Sequence, residues 1–220
     1  MKLATRITSF IFHPLIIVTY ILIIMVWSDP FIFGFKSILD AGKLIFLVFI
    51  TTFFIPGLAI AMLRPLGFID SLDMETNNER IIPFIIAGVF YTWMFRNLID
   101  NNNIPYFFTI AVLGATIGLF VAFFINIYYK ISIHGVGMGG LLAVLFLMLF
   151  PYDYRNSIFI VQNGHIVFFN LLLLMMLIMV ITGWVGVSRL YLKAHKDHQY
   201  YIGVLVGFCC QVIAYYILMD

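Results

Sequence analysis

Charge is scarce in this chain: of 220 residues only 10% are charged, against 64% hydrophobic, and the mean hydropathy is +1.09. That balance excludes a soluble globular domain and fits a polytopic membrane protein. Cysteine is nearly absent too. The only two, Cys209 and Cys210, are adjacent within an apolar stretch, which excludes a disulfide framework and leaves them as small hydrophobes. There is no low-complexity linker, no internal repeat and no polar stretch large enough for a separate domain, so residues 1–220 read as one integral membrane domain. A formal net charge of +2 gives no reason to invoke nucleic acid, although basic residues at a membrane edge suit an anionic lipid headgroup.

What is abundant is hydrocarbon. A bilayer core of roughly 30 Å takes about 20 apolar residues per helical crossing. Seven stretches of about that length are present, near 10–28, 44–63, 81–99, 105–129, 134–151, 165–187 and 200–219. Backbone amides inside hydrocarbon must find partners within their own segment, so the expected fold is an all-α transmembrane bundle of six to seven spans. The lower count applies if 81–99 or 105–129 is bent or re-entrant, which Arg96 and the Asp-Asn-Asn-Asn turn at 100–103 leave open. The first stretch follows Lys2 and Arg6, is long, and has no small-residue cleavage site after it; it is expected to stay as a membrane helix.

If all seven cross, the segments after the second, fourth and sixth share one membrane face. These segments, 64–80, 130–134 and 188–199, hold Arg80, then Lys130, Ser132 and His134, then Arg189, His195 and Gln199. Ionisable groups at the edge of hydrocarbon are expensive and mark a functional site by default. Two arginines, a lysine, two histidines and a hydroxyl suit a tetrahedral dianion: guanidinium forks match phosphate oxygens, and one imidazole can attack phosphorus while the other protonates the departing oxygen. No metal or other cofactor is required by such chemistry. Gln199 lies one helical turn beyond His195, where its amide could hold the imidazole, and Gly203 and Gly207 continue that stripe at a spacing that lets helices approach.

These residues resemble the type 2 phosphatidic acid phosphatase superfamily of membrane lipid phosphatases, over roughly residues 75–210. The family's third motif, Ser-Arg, five residues, His, three residues, Asp, is matched by Ser188-Arg189, His195 and Gln199, with glutamine in the aspartate place. The second, Pro-Ser-Gly-His, is matched in part by Ile131-Ser132-Ile133-His134. The first, a lysine and an arginine-proline pair, is represented by Arg80 and Pro83, with Asp73 where the lysine belongs. The resemblance implies that His195 forms a phosphohistidine, that His134 acts as the acid, and that Gln199 orients His195. It further implies that Arg80, Arg189 and Ser132 hold the phosphoryl oxygens, with Lys130 in place of the missing lysine. An amide cannot offset the charge of a developing imidazolium as a carboxylate does, so Asp197 and Glu79 are the other acids available. The substrate implied is a phosphomonoester or diphosphate on a lipid: undecaprenyl diphosphate, phosphatidylglycerophosphate, phosphatidic acid or the phosphates of lipid A.

Plainer roles stand beside these. Arg189, Lys193 and Lys196 would also serve as interfacial anchors, Arg80 as a helix-start charge, and His134 as a hydrogen bond between helices. His13, His165 and His198 read as structural or interfacial. Haem ligation suits the basic surroundings of His134 and His195 poorly, and Ser132 is too close in sequence to His134 for a serine protease. A non-catalytic lipid-headgroup-binding or lipid-carrier protein is the competing function. Basic residues outside the site divide almost evenly, Lys2, Arg6, Arg64, Lys193 and Lys196 on the motif face against Lys36, Lys43, Arg96 and Arg155, leaning toward a cytoplasmic site. The resemblance implies instead a bacterial inner membrane with the site on its outer side, and that expectation is preferred here.

Overall fold

A computed structural model describes residues 2–72, 74, 76–150, 158–162 and 165–219; Asp73 and Arg155, used in the motif and charge arguments above, lie outside them. The architecture is an all-α polytopic bundle. Its helices are α1 (Lys2–Ile11), α2 (Ile17–Ser28), α3 (Gly42–Phe49), α4 (Ile55–Met62), α5 (Ile81–Ile99), α6 (Tyr106–Tyr128), α7 (Ile133–Leu149), α8 (Leu171–Tyr191) and α9 (Asp197–Met219). Joined where the chain continues as helix, they give six segments long and apolar enough to cross a membrane, the first running Lys2–Ser28 and the second Gly42–Met62; α7, at 17 residues, is shorter. The expected stretch at 165–187 differs at its start. Residues Ile158–Gln162 (β1) and His165–Phe169 (β2) pair as an antiparallel hairpin, and the helix begins only at Leu171, where the Asn170 side chain accepts from the Leu173 N–H at 3.1 Å.

Two spans are interrupted, and proline accounts for both. Pro14 has no N–H, and the His13 amide bonds to the Phe10 carbonyl at 3.2 Å, leaving the Ser9 carbonyl without its helical partner. The His13 imidazole caps the next turn, accepting from Leu15 N at 3.3 Å. The carbonyls freed around this break take donors from elsewhere: Tyr20 Oη donates to Ile11 O at 2.8 Å, and Tyr91 Oη to Leu15 O at 3.2 Å. In the second span a π turn at Ile50–Phe54 precedes Pro56, with Thr51 and Thr52 hydroxyls donating back to Leu47 and Val48 carbonyls at 2.8 and 2.7 Å.

The centre of the bundle is α7, buried along most of its length, and it meets α9 backbone to backbone. A methyl on Gly139 would stand 2.0 Å from Val204 O, and one on Gly207 would stand 1.9 Å from Val136 O. Gly135 and Gly203 are less tight but still closed to a methyl, which would stand 2.5 Å from a carbonyl oxygen in each case, that of Tyr200 and that of Ser132. Small residues four apart on both helices therefore set a parallel pair in contact. The pairing of Gly135 with Tyr200 fixes the register, so that the N-terminal ends of both helices arrive together. Tyr200 then locks α9 to α8, its ring over Gly186 and its hydroxyl on Thr182 O at 2.7 Å. Because α6 runs into α7 and α8 into α9, the four chain segments that join or end there collect at one end of the bundle.

Candidate functional site

Arg80 ends a 3-10 turn leading into α5 and is buried to 4% exposure. Its Nε donates to Met74 O at 3.0 Å and its Nη1 to Ile131 O at 3.1 Å, tying the loop before α5 to the segment before α7. Asn126 Nδ2 makes a parallel tie, donating to Asn77 O at 3.0 Å. Glu79 clamps the same loop, accepting from the amides of Asp70 and Thr76, each at 3.0 Å, and from the Thr76 hydroxyl at 2.9 Å.

Ser132 is fully buried and caps α7, its Oγ accepting from Gly135 N at 3.4 Å, while its own N–H donates to Gln199 O at 3.2 Å. One residue on, the His134 ring reaches across to the first span, with Nε2 3.0 Å from the freed Ser9 carbonyl. A carbonyl only accepts, so Nε2 carries the proton and Nδ1 is left with a lone pair or a second proton.

Arg189 lies in the last turn of α8, where the helix dipole favours a cation, and is 9% exposed. Lys193 then takes a positive φ of 53°, and Ala194 N donates to Arg189 O at 3.1 Å, which closes the helix and turns His195 back toward the bundle. His195 is 8% exposed. Burial, and after it the charges of Arg80, Arg189 and Lys130, push its imidazole down from 6.5 to about 3; Gln199 pulls weakly the other way. Nδ1 of His195 is buried and has no hydrogen-bond partner among the described residues. The Gln199 amide lies close enough to influence the ring, yet its Oε1 accepts from Lys196 N at 2.9 Å and so caps the start of α9.

Arg80, His134, Arg189 and His195, drawn from three separated segments, line one cavity of about 610 Å³. The other three residues singled out by sequence do not line it. Ser132 and Gln199 are helix caps, and Lys130 is felt at His195 through its charge. Asp197 and Glu79 also lie off the wall, Asp197 accepting from His198 N at 2.9 Å. No aspartate or glutamate lines the cavity among the described residues. Its remaining surface is mostly apolar, extending past Tyr91, Leu119 and Val136 to Gln211, and it includes Phe10, Phe54 and Leu58, all exposed on the outer faces of their helices.

Sequence reasoning missed one polar member of this wall. His13, set aside as structural, lines the cavity with its ring edge-on to His134 at 5.7 Å and to Phe53 at 5.9 Å. The signal was a polar residue directly before proline inside an apolar run. Comparison with family models, with curated proteins and with solved structures finds no match to this chain.

Proposed function

We propose that this protein is a lipid phosphatase, hydrolysing a phosphomonoester or diphosphate carried on a lipid without a metal ion. The observation that supports this reading best is the composition of the cavity wall: two arginines and three imidazoles with no carboxylate among the described residues, and a long apolar surface reaching the exposed Phe10, Phe54 and Leu58. A positive field in a poorly hydrated pocket favours an anion strongly and disfavours a bare cation. The apolar continuation gives that anion a hydrocarbon chain, and its exposed edge lets an amphiphile arrive sideways from the bilayer.

In this mechanism Arg80 and Arg189 hold the phosphoryl oxygens. Arg80 retains Nη2 for this purpose after Nε and Nη1 have fixed the loops. His195, neutral at physiological pH, attacks phosphorus through Nε2; an N–P bond forms as the bond from phosphorus to the lipid oxygen breaks. His134 is neutral, its one proton held on Nε2 by Ser9 O; its Nδ1 takes the proton of the phosphate monoanion and hands it to the departing oxygen. Water then attacks the phosphohistidine, Nδ1 of His134 takes the water proton and returns it to the phosphate, which leaves as a monoanion with both imidazoles neutral again.

The test is phosphate release in detergent from phosphatidic acid, phosphatidylglycerophosphate and undecaprenyl diphosphate, with EDTA present. Wild type should turn over at least one of them, and His195→Ala should abolish release and the acid-labile label left by a radioactive phosphate donor. Release that EDTA abolishes, or that survives His195→Ala, would overturn the mechanism. Binding of these lipids without turnover would favour a headgroup-binding carrier. We place the site on the outer side of a bacterial inner membrane; single cysteines at positions 76 and 197 should then react with an impermeant maleimide added to intact cells.

A further inference from the structure

His13 has a second capacity that its role in the first span does not use. Its Nδ1 accepts the Leu15 amide, so the ring proton resides on Nε2, and no described hydrogen bond engages that N–H. The ring lines the same cavity as Arg80, Arg189 and His195, stands edge-on to His134, and lies within reach of the Arg189 charge. Its position is over-determined. Pro14 follows it, the 3-10 turn is capped by its own Nδ1, its amide is tied to Phe10 O, and Phe53 from the π turn packs against its ring. Such a ring is held in place before any ligand arrives, and a neutral imidazole N–H so held is an effective donor to an anionic oxygen.

The two neighbouring imidazoles are thereby complementary. His134 is pinned through Nε2 and offers Nδ1, whereas His13 is pinned through Nδ1 and offers Nε2. His195 lines the same cavity, with its Nδ1 buried. A tetrahedral oxyanion meets guanidinium groups at Arg80 and Arg189, and the first span supplies a further directed N–H.

We propose that His13 is a ligand-binding residue of this site, its Nε2–H donating to a phosphoryl oxygen held by Arg80 and Arg189. The proposal rests on the anion-binding part of the reading above, and it gives the broken first span a function: the break at His13-Pro14 presents that donor. The chemical class of ligand is a phosphate group, borne on a lipid or free.

Two substitutions separate this role from the cap. His13→Asn retains an acceptor for Leu15 N, asparagine being a strong cap, but is too short to bring its amide where Nε2 stands. His13→Phe retains the ring against Phe53 and His134 but has no N–H. Inorganic phosphate is titrated into the purified full-length protein in detergent and followed by phosphorus NMR, with thermal unfolding measured in parallel. Both variants should weaken phosphate binding about tenfold, and His13→Asn should melt as the wild type does. In turnover of a short-chain phosphatidic acid, both should raise KM more than they lower kcat. Phosphate bound by both variants as tightly as by wild type would overturn the proposal, as would a wild type that binds none. Weaker phosphate binding in both variants, together with a wild type that hydrolyses no lipid, would retain His13 as an anion contact while rejecting the phosphatase reading.

Discussion

Nε2 of His134 sits 3.0 Å from the carbonyl oxygen of Ser9, joining the start of the central helix to a carbonyl that the break before Pro14 has released. The same hydrogen bond satisfies the first span and fixes which ring nitrogen His134 turns toward the cavity.

A double-mutant cycle tests this link. His134→Phe leaves the Ser9 carbonyl without a donor in a half-buried setting and should lower stability by about 1–3 kcal/mol while abolishing phosphate release. Pro14→Ala restores an amide at that position and lets His13 N return to Ser9 O. Combined with His134→Phe, it should recover part of the lost stability, measured by thermal unfolding in one detergent, without recovering activity. Strict additivity of the two single effects would contradict the assignment.

The His195 imidazole yields a pH prediction with a definite sign. Its folded value, about 3, lies below the ordinary 6.5, so the unfolded chain binds more protons across that interval and stability rises with pH through it. Wild type should therefore lose stability as pH falls from about 6.5 toward 3, and His195→Gln should flatten that part of the curve. By proton NMR the His195 ring should show no titration between about pH 5 and 8, because its transition lies lower. Gln199→Asp places a carboxylate beside the ring and should move the transition upward toward that window.

Arg80 is asked to do two things, and lysine can do only one. Its Nε and Nη1 hold Met74 O and Ile131 O, so Arg80→Lys keeps the charge but cannot span both carbonyls and still face a ligand. The variant should raise KM for the lipid at least tenfold and lower stability by about 1–2 kcal/mol, the usual effect of losing a buried hydrogen bond. An unchanged KM would show that Arg80 is structural only.

Helix contact can be probed at Gly207, which also lines the apolar part of the cavity. Gly207→Ala would place a methyl 1.9 Å from the Val136 carbonyl, a collision with backbone that no rotamer change relieves. Gly183, whose added methyl meets nothing within 4 Å, serves as the control. Gly207→Ala should destabilise the bundle by about 1–3 kcal/mol or more and reduce activity by displacing the start of α9; Gly183→Ala should do neither.

Much of this arrangement was legible in the sequence. Apolar runs bounded by polar turns located the spans, because hydrocarbon thickness fixes their length, and the alternation of faces predicted that residues 80, 134, 189 and 195 would meet. The close approach of α9 followed from Gly203 and Gly207. What could not be read was how single polar atoms are shared. Ser132, assigned to the ligand, caps α7, and Gln199, assigned to His195, acts on that ring while its Oε1 also caps α9, since an unfilled amide at a helix start competes for any nearby acceptor. His13 was passed over for the converse reason: its partners lie in three other segments, and only the packed bundle brings them beside it. The hairpin before α8 was missed because residues 165–169 are as apolar as the helix that follows.

No aspartate or glutamate lines the cavity wall among the described residues, and the carboxylate whose charge Arg80 feels, that of Glu79, stands off that wall. An anion that enters meets the two arginines between apolar, low-dielectric walls that strengthen the attraction. Under the phosphatase reading proposed above, inorganic phosphate should leave slowly, and turnover should fall as product accumulates.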